Sequence, residues 1–195
     1  MEFLYSIDKA VFFFINGSLS NPVFDWLMPF LTDLNKQKPT IVIIALLWLW
    51  TMIKGGRTGR TAMILLALTI VVSDQMSSSL LKSMIGRLRP CHVLQGVHIL
   101  VDCGSGYSFP SSHAVNNFAG ATILTHFYRK YAWGWFGFAA LIAFTRPYVG
   151  VHYPSDAVGG ALFGIACAYA ILGAWKFIDV KYIRKSPIQK REGSV

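Results

Sequence analysis

Three cations, two imidazoles, a carboxylate and paired serines lie in three short clusters of this chain: Lys82-x6-Arg89-Pro90, Pro110-Ser111-Ser112-His113 and Arg146-x5-His152-x3-Asp156. Each cluster adjoins a long apolar run. Ionisable groups at membrane depth are expensive unless they face a polar cavity, which makes them functional candidates. Together these side chains describe a place that grips and cleaves a phosphate. Arginine offers a planar fork of donors matched to phosphate oxygens, and lysine a point charge. On its own, Lys82 with Arg89 is ordinary, because long cations near helix ends snorkel to headgroups. Pro110-Ser111-Ser112 reads as a helix start, with serine as a cap. The free N–H groups of such a start also bind anions. His113 has no capping role and is placed to protonate a departing oxygen. Asp156, one turn after His152, suits a carboxylate that holds one ring nitrogen and leaves the other as nucleophile or base. Two His and one Asp also resemble a metal triad. Three nearby cations disfavour a divalent ion and favour an anionic substrate, so no metal and no cofactor is expected.

The elements that must position these groups are membrane helices. Of 195 residues, 54% are hydrophobic, 14% aromatic and 14% charged, too apolar for a soluble domain of this size. Apolar runs at 59–81, 112–129, 133–148 and 156–178 are about the length a bilayer requires, and 39–53 is a shorter fifth. Asp8–Ile15 reads as an amphipathic or interfacial helix and 22–34 as a second, together leaving room for one imperfect crossing. The fold expected is an all-α polytopic bundle of five to six transmembrane helices. It forms one domain over 1–180, with a basic cytoplasmic tail over 181–195. The start carries Glu2, Asp8 and Lys9 and lacks a cleavable-signal pattern, so the first spans are expected to act as uncleaved insertion signals.

Counting crossings brings all three clusters to one membrane face. The other face receives Lys54, Arg57 and Arg60, then Arg129 and Lys130, then Lys176, Lys181, Arg184 and Lys185. Lys and Arg accumulate in cytoplasmic loops, so the clusters look outward. The net charge of +9 therefore reflects topology rather than a nucleic-acid surface. Cys91 and Cys103 bracket the outer loop, where a bridge and two free thiols are both open readings, while Cys167 reads as a small core residue.

With these residues in view, the chain resembles the type 2 phosphatidic acid phosphatase (PAP2) superfamily. Its pattern is Lys-x6-Arg-Pro, then Pro-Ser-Gly-His, then Ser-Arg-x5-His-x3-Asp. The similarity covers 59–178, with Ser112 in place of Gly and Thr145 in place of Ser. The resemblance implies a PAP2/haloperoxidase-like helical core and metal-independent hydrolysis of a lipid-linked phosphomonoester or pyrophosphate. It implies that His152 attacks phosphorus to form a phosphohistidine, that Asp156 supports His152, and that His113 protonates the leaving group. It implies that Lys82, Arg89, Arg146, Ser111 and Ser112 hold the phosphoryl oxygens. Within the family, the short N-terminal segment and outward site resemble bacterial undecaprenyl pyrophosphate and lipid A phosphatases. The expected setting is a bacterial inner membrane with the site facing the periplasm, and the expected partners are a phosphorylated lipid and bulk membrane lipids. The same residues would serve a lipid phosphotransferase, and a non-enzymatic anion transporter is a third reading. Oligomeric state is not readable.

Other polar residues carry weaker expectations. Arg87 suits either the phosphate site or a lipid headgroup. Asp74 needs a polar partner inside the bundle, Asn116 and Asn117 suit bonds across helices, and His92 and His98 suit an exposed loop. Trp48, Trp50, Trp133, Trp135 and Trp175 suit interfacial or packing positions.

Overall fold

In the computed structural model, residues 2–180 are described, and the basic tail expected over 181–195 lies outside them. Every regular element among the described residues is helical. Helix α1 (Glu2–Phe13) runs into a π-helical turn, Phe14–Ser18. Helix α2 (Pro22–Thr32) starts where the Asn21 side chain accepts the N–H groups of Val23 and Phe24 at 3.1 and 3.0 Å, with Pro22 in the first turn. Helix α3 (Lys38–Lys54) follows a short 3-10 turn, and α4 (Gly56–Gln75) continues through a π-helical turn, Met76–Leu81, into α5 (Lys82–Ile85). After α6 (Pro90–Val93) comes a long loop, then α7 (Ser112–Phe127), α8 (Ala132–Tyr148) and α9 (Pro154–Ile178). These helices coincide with the apolar runs of the sequence to within a few residues. The first helix begins earlier than expected.

Among the described residues, two segments are long and apolar enough to cross a bilayer by length and composition, Gly56–Val93 and Pro154–Ile178, with mean hydropathy 1.6 and 1.9. Helix α3 buries none of its residues, and Ile43, Leu46 and Trp50 are all more than half exposed. A helix apolar on all sides is stable only in an apolar surrounding, which is what lipid supplies.

Helix α7 is the centre, packed on α4, α8 and α9. Its seam with α9 is set by glycine. A Cβ on Gly164 would stand 2.2 Å from the Val115 carbonyl oxygen, and one on Gly160 would stand 2.7 Å from that of Ser111. The Gly160-x3-Gly164 spacing thus lets two backbones touch, as small residues do between membrane helices. Away from the clusters, Leu65, Ile123, Ala168 and Leu172 close the bundle.

A second core lies at the cluster end, where Met28, Tyr148, Val149 and Val151 pack with Ile15, Leu19 and Leu100. Buried Asn16 pins it, donating to the carbonyls of His98 and Tyr148 at 2.7 Å each and accepting the His98 N–H at 2.8 Å. Gly150, with φ of +89°, permits the close approach, since a Cβ there would meet the His98 carbonyl at 2.8 Å. Asp25 accepts the Tyr148 hydroxyl at 2.7 Å and pairs with His98 at 3.1 Å. Cys91 and Cys103 form a disulfide, deciding between the two open readings of this cysteine pair. At the far end Arg57 pairs with Asp179 at 3.4 Å and Arg60 donates to the Met52 carbonyl at 2.8 Å.

Candidate active site

The three clusters are delivered by helix ends that meet. Lys82 opens α5 at the exit of the α4 helix, and Arg89 caps α6 and donates from Nε to the Gly106 carbonyl at 2.9 Å. Ser111 precedes α7, and its N–H donates to the Asp156 carbonyl at 3.1 Å, tying the start of α7 to the start of α9. The Ser111 hydroxyl does not cap its helix as a sequence reading expects. It is buried with no hydrogen-bond partner among the described residues, as is Nε of Arg146. Unmade hydrogen bonds in a buried site are costly, so such atoms are fit to meet a ligand.

His113 and Arg146 converge on one residue. Thr32, at the end of α2, lies with its carbonyl 3.2 Å from Nε2 of His113 and accepts Nη1 of Arg146 on its hydroxyl at 2.5 Å. The charges of Arg146 and His152 both reach His113, and those of Arg89, Arg146, Asp74 and Asp156 reach Lys82. One electrostatic neighbourhood therefore contains the charged and imidazole candidates, Lys82, Arg89, His113, Arg146, His152 and Asp156. Ser112 sits in the first turn of α7 beside His113, and both line a cavity between α2, α3, α4, α7 and α8.

His152 stands in the turn between α8 and α9, almost fully buried. Its Nδ1 lies 3.5 Å from an Asp156 oxygen and 3.4 Å from the Ser108 hydroxyl, leaving Nε2 for chemistry. The carboxylate itself is held tightly: one oxygen takes the Ser108 hydroxyl and the Tyr153 N–H (2.8 Å), the other takes Nη1 of Arg87 at 2.7 Å. Burial pushes the His152 imidazole down to about 4; the charges of Arg146 and Arg89 add to this, and Asp156 works against it. At neutral pH the ring is therefore uncharged, as a nucleophile requires. The unfolded chain has an ordinary imidazole near 6.5. Between pH 6.5 and 4 the unfolded state takes up the proton first, so acidification withdraws stability. In detergent, wild-type Tm is expected to fall more than that of His152→Gln between pH 7 and 4.5; parallel curves would contradict this assignment.

Arg87, read from the sequence as suiting either the phosphate site or a lipid headgroup, is engaged by two carboxylates. It bridges Asp156 to Asp8 of α1, with Nη2 2.6 Å from Asp8, and lies over the Tyr153 ring with its guanidinium carbon 3.9 Å from the centroid. Asp8 also takes the Ser155 N–H at 3.0 Å and hydroxyl at 2.5 Å. The first helix is thus strapped to the catalytic carboxylate candidate. Arg87→Ala is expected to cost about 2 kcal/mol, the scale of a hydrogen bond to a charged group, with Arg87→Lys recovering part of it. Chemical denaturation in mixed micelles would measure the difference.

Sequence reasoning did not single out Ser108 or Thr32, and it noted Asp8 only as an acidic residue near the start. No spacing signal marks them, because each reaches the site through tertiary contact. Asp74 does find its polar partner, accepting Nδ2 of Asn116 at 2.8 Å, whereas Asn117 bonds within its own helix to the His113 carbonyl at 2.9 Å. Among the described residues the one group of three potential metal ligands is Cys91, His92 and Cys103, whose two sulfurs are bonded to each other.

The family model described as the PAP2 superfamily matches residues 61–178, the segment that carries all three clusters. The chain belongs to the PAP2 superfamily. Among PAP2 relatives, the lipid A 4'-phosphatase of Bacteroides thetaiotaomicron is 35% identical over 194 residues, covering 93% of this chain and 80% of that protein. The undecaprenyl-diphosphatase of Sulfolobus acidocaldarius is 30% identical over 169 residues, covering 85% of this chain and 74% of the relative. The crystal structure of Aquifex aeolicus LpxE superposes with a TM-score of 0.67 at 26% identity, covering 86% of this chain and 95% of that one.

Proposed function

We propose that the protein is an integral membrane lipid phosphatase that hydrolyses a lipid-linked phosphomonoester or diphosphate through a phosphohistidine. The observation that carries this reading is the His152–Asp156–Ser108 arrangement beside three cations, with Nε2 of a neutral imidazole left over. The Nε2 lone pair attacks phosphorus while the bond to the departing oxygen breaks and His113 gives that oxygen its proton. Water then attacks phosphorus with His113 as base, releasing inorganic phosphate and restoring His152. Arg146, Arg89, Lys82 and the Ser111 hydroxyl stabilise the charge that spreads over the phosphoryl oxygens. Ser112 supports them from the first turn of the helix.

Five crossings, α3, α4 with α5, α7, α8 and α9, fit this reading. Helices α1 and α2 lie against the site end, since Asp8, Asn16, Asp25 and Thr32 all make their contacts there. The cation distribution favours an outward site, in a bacterial setting the periplasmic face of the inner membrane. A lipid tail would stay in the bilayer while the head reaches the cations. Release of inorganic phosphate from lipid phosphates by purified protein tests the reading. Release that persists in excess chelator is expected; its loss, restored by a divalent ion, would refute the metal-independent route.

A further inference from the structure

The carboxylate beside His152 is the end of a row of three charges. Asp156 is fully buried, and its Oδ1 takes Nη1 of Arg87 at 2.7 Å; Nη2 of the same guanidinium holds Asp8 of α1 at 2.6 Å. Arg87 and Asp8 are themselves mostly withdrawn from solvent. At the other end, Nδ1 of His152 faces Asp156 and the Ser108 hydroxyl. That hydroxyl donates to Asp156, so it accepts from the ring, and Nδ1 carries the proton. In the attack proposed above, Nε2 bonds to phosphorus, the bond to the departing oxygen breaks, and that oxygen takes the His113 proton. The ring keeps its Nδ1 proton and gains a positive charge. The negative charge of Asp156 stabilises it, the adjoining guanidinium opposes that support, and a second carboxylate on the guanidinium restores it.

We infer that Arg87 and Asp8 are positioning residues of the nucleophile: Arg87 fixes the Asp156 carboxylate, and Asp8 offsets the Arg87 charge so that the row stays net negative. The inference rests on the phosphatase reading above and deepens it. Asp8 comes from the N-terminal helix, outside the segment 61–178 that carries the three clusters, and Arg87 is one of the unspecified residues between Lys82 and Arg89. Neither is free to turn toward a substrate. Asp8 is held by the Ser155 N–H at 3.0 Å and hydroxyl at 2.5 Å, and Nη1 of Arg87 also donates to the Ser155 hydroxyl oxygen at 2.7 Å. The Tyr153 ring closes over the guanidinium, 3.9 Å from its carbon. The further groups whose charge reaches the His152 ring are Arg146 on α8, Arg89 before α6 and His113 on α7, and none of them supplies a negative charge. Support for the charged ring therefore depends on Asp156, and the net charge of its row depends on Asp8.

Purified protein in mixed micelles would be assayed for phosphate release from phosphatidic acid across the acid range, where the limb of kcat/KM reports the free imidazole. Asp8→Asn is expected to lower kcat about tenfold while changing KM less than about twofold. Its acid limb should move to lower pH, because the row has lost its net negative charge. Arg87→Gln should move the limb the other way, since two carboxylates then stand unopposed, and Asp8→Asn/Arg87→Gln should bring it back near the wild-type position. A scaffold role moves no limb in opposite directions. Tyr5→Phe is the control: it removes a neutral bond from α1 to the Tyr153 hydroxyl (3.2 Å) and is expected to leave the limb in place. Asp8→Asn with wild-type kcat, or with lowered kcat and an unmoved limb, would overturn the inference. Should Asp8→Asn give no monodisperse protein, Arg87→Gln decides, and a limb that does not rise overturns the inference equally. Phosphate release from neither wild type nor His152→Ala would instead bring down the phosphatase reading on which it rests.

Discussion

Replacing His152 with alanine is expected to lower phosphate release by about 10⁴-fold or more, the scale seen when a covalent nucleophile is removed. The expectation follows from where each hydrogen bond goes. Asp156 keeps the Ser108 hydroxyl, the Tyr153 N–H and Arg87 when the imidazole is gone, so the carboxylate is not orphaned. The fold should therefore survive, and the loss should be chemical. Size-exclusion elution and Tm in detergent check the first point, and rapid-quench trapping of an acid-labile, base-stable phosphoenzyme checks the second. Asp156→Asn should fall less far, since it keeps the shape and loses the charge that supports the ring. A His152→Ala protein that retains activity within about tenfold of wild type would remove the phosphohistidine from consideration.

Gly164→Leu is expected to abolish assembly of the bundle. Even a single Cβ would approach the Val115 carbonyl oxygen to 2.2 Å and its carbon to 3.0 Å, and both are backbone atoms of a central helix. Rotamer changes cannot relieve a clash with backbone, so α7 and α9 must separate. Overpacking of this kind costs about 1–3 kcal/mol when a core can adjust, and this seam has little room to do so. Because α7 carries His113 and α9 follows His152, separation also spoils the site. Loss of the monodisperse peak in detergent is the expected readout. Gly173→Ala is the matched comparison: the same helix, nothing within 4 Å of the added carbon, and an expected gain of up to about 1 kcal/mol from helix propensity. Equal behaviour of the two variants would contradict a glycine-dependent seam.

The legible part of this chain was the part with a period or a spacing. Apolar runs became helices nearly where they were expected, because a residue facing lipid is readable from its own hydrophobicity. The three motifs were readable because helix geometry turns fixed spacings into fixed directions. Counting crossings then sufficed to bring them to one end. The N-terminal helices were less legible: their role depends on Asp8 reaching Ser155 and on Thr32 reaching His113 and Arg146, contacts between residues 81 to 147 positions apart. The sequence reading did not single out Gly160-x3-Gly164, whose meaning depends on which backbone lies opposite.

Residue types and intervals alone pointed to an all-helical membrane chain with its cations, imidazoles and carboxylate gathered at one end. Folding decided the rest. It chose Ser108 and Arg87 as the companions of Asp156, turned the Ser111 hydroxyl inward instead of onto its helix, and joined Cys91 to Cys103. It also left a carboxylate-lined chamber beside His113. The division has one physical cause. Hydrophobic and helical preferences act over neighbouring residues and are written locally, whereas a hydrogen-bond partner is set by distances between elements that only packing determines.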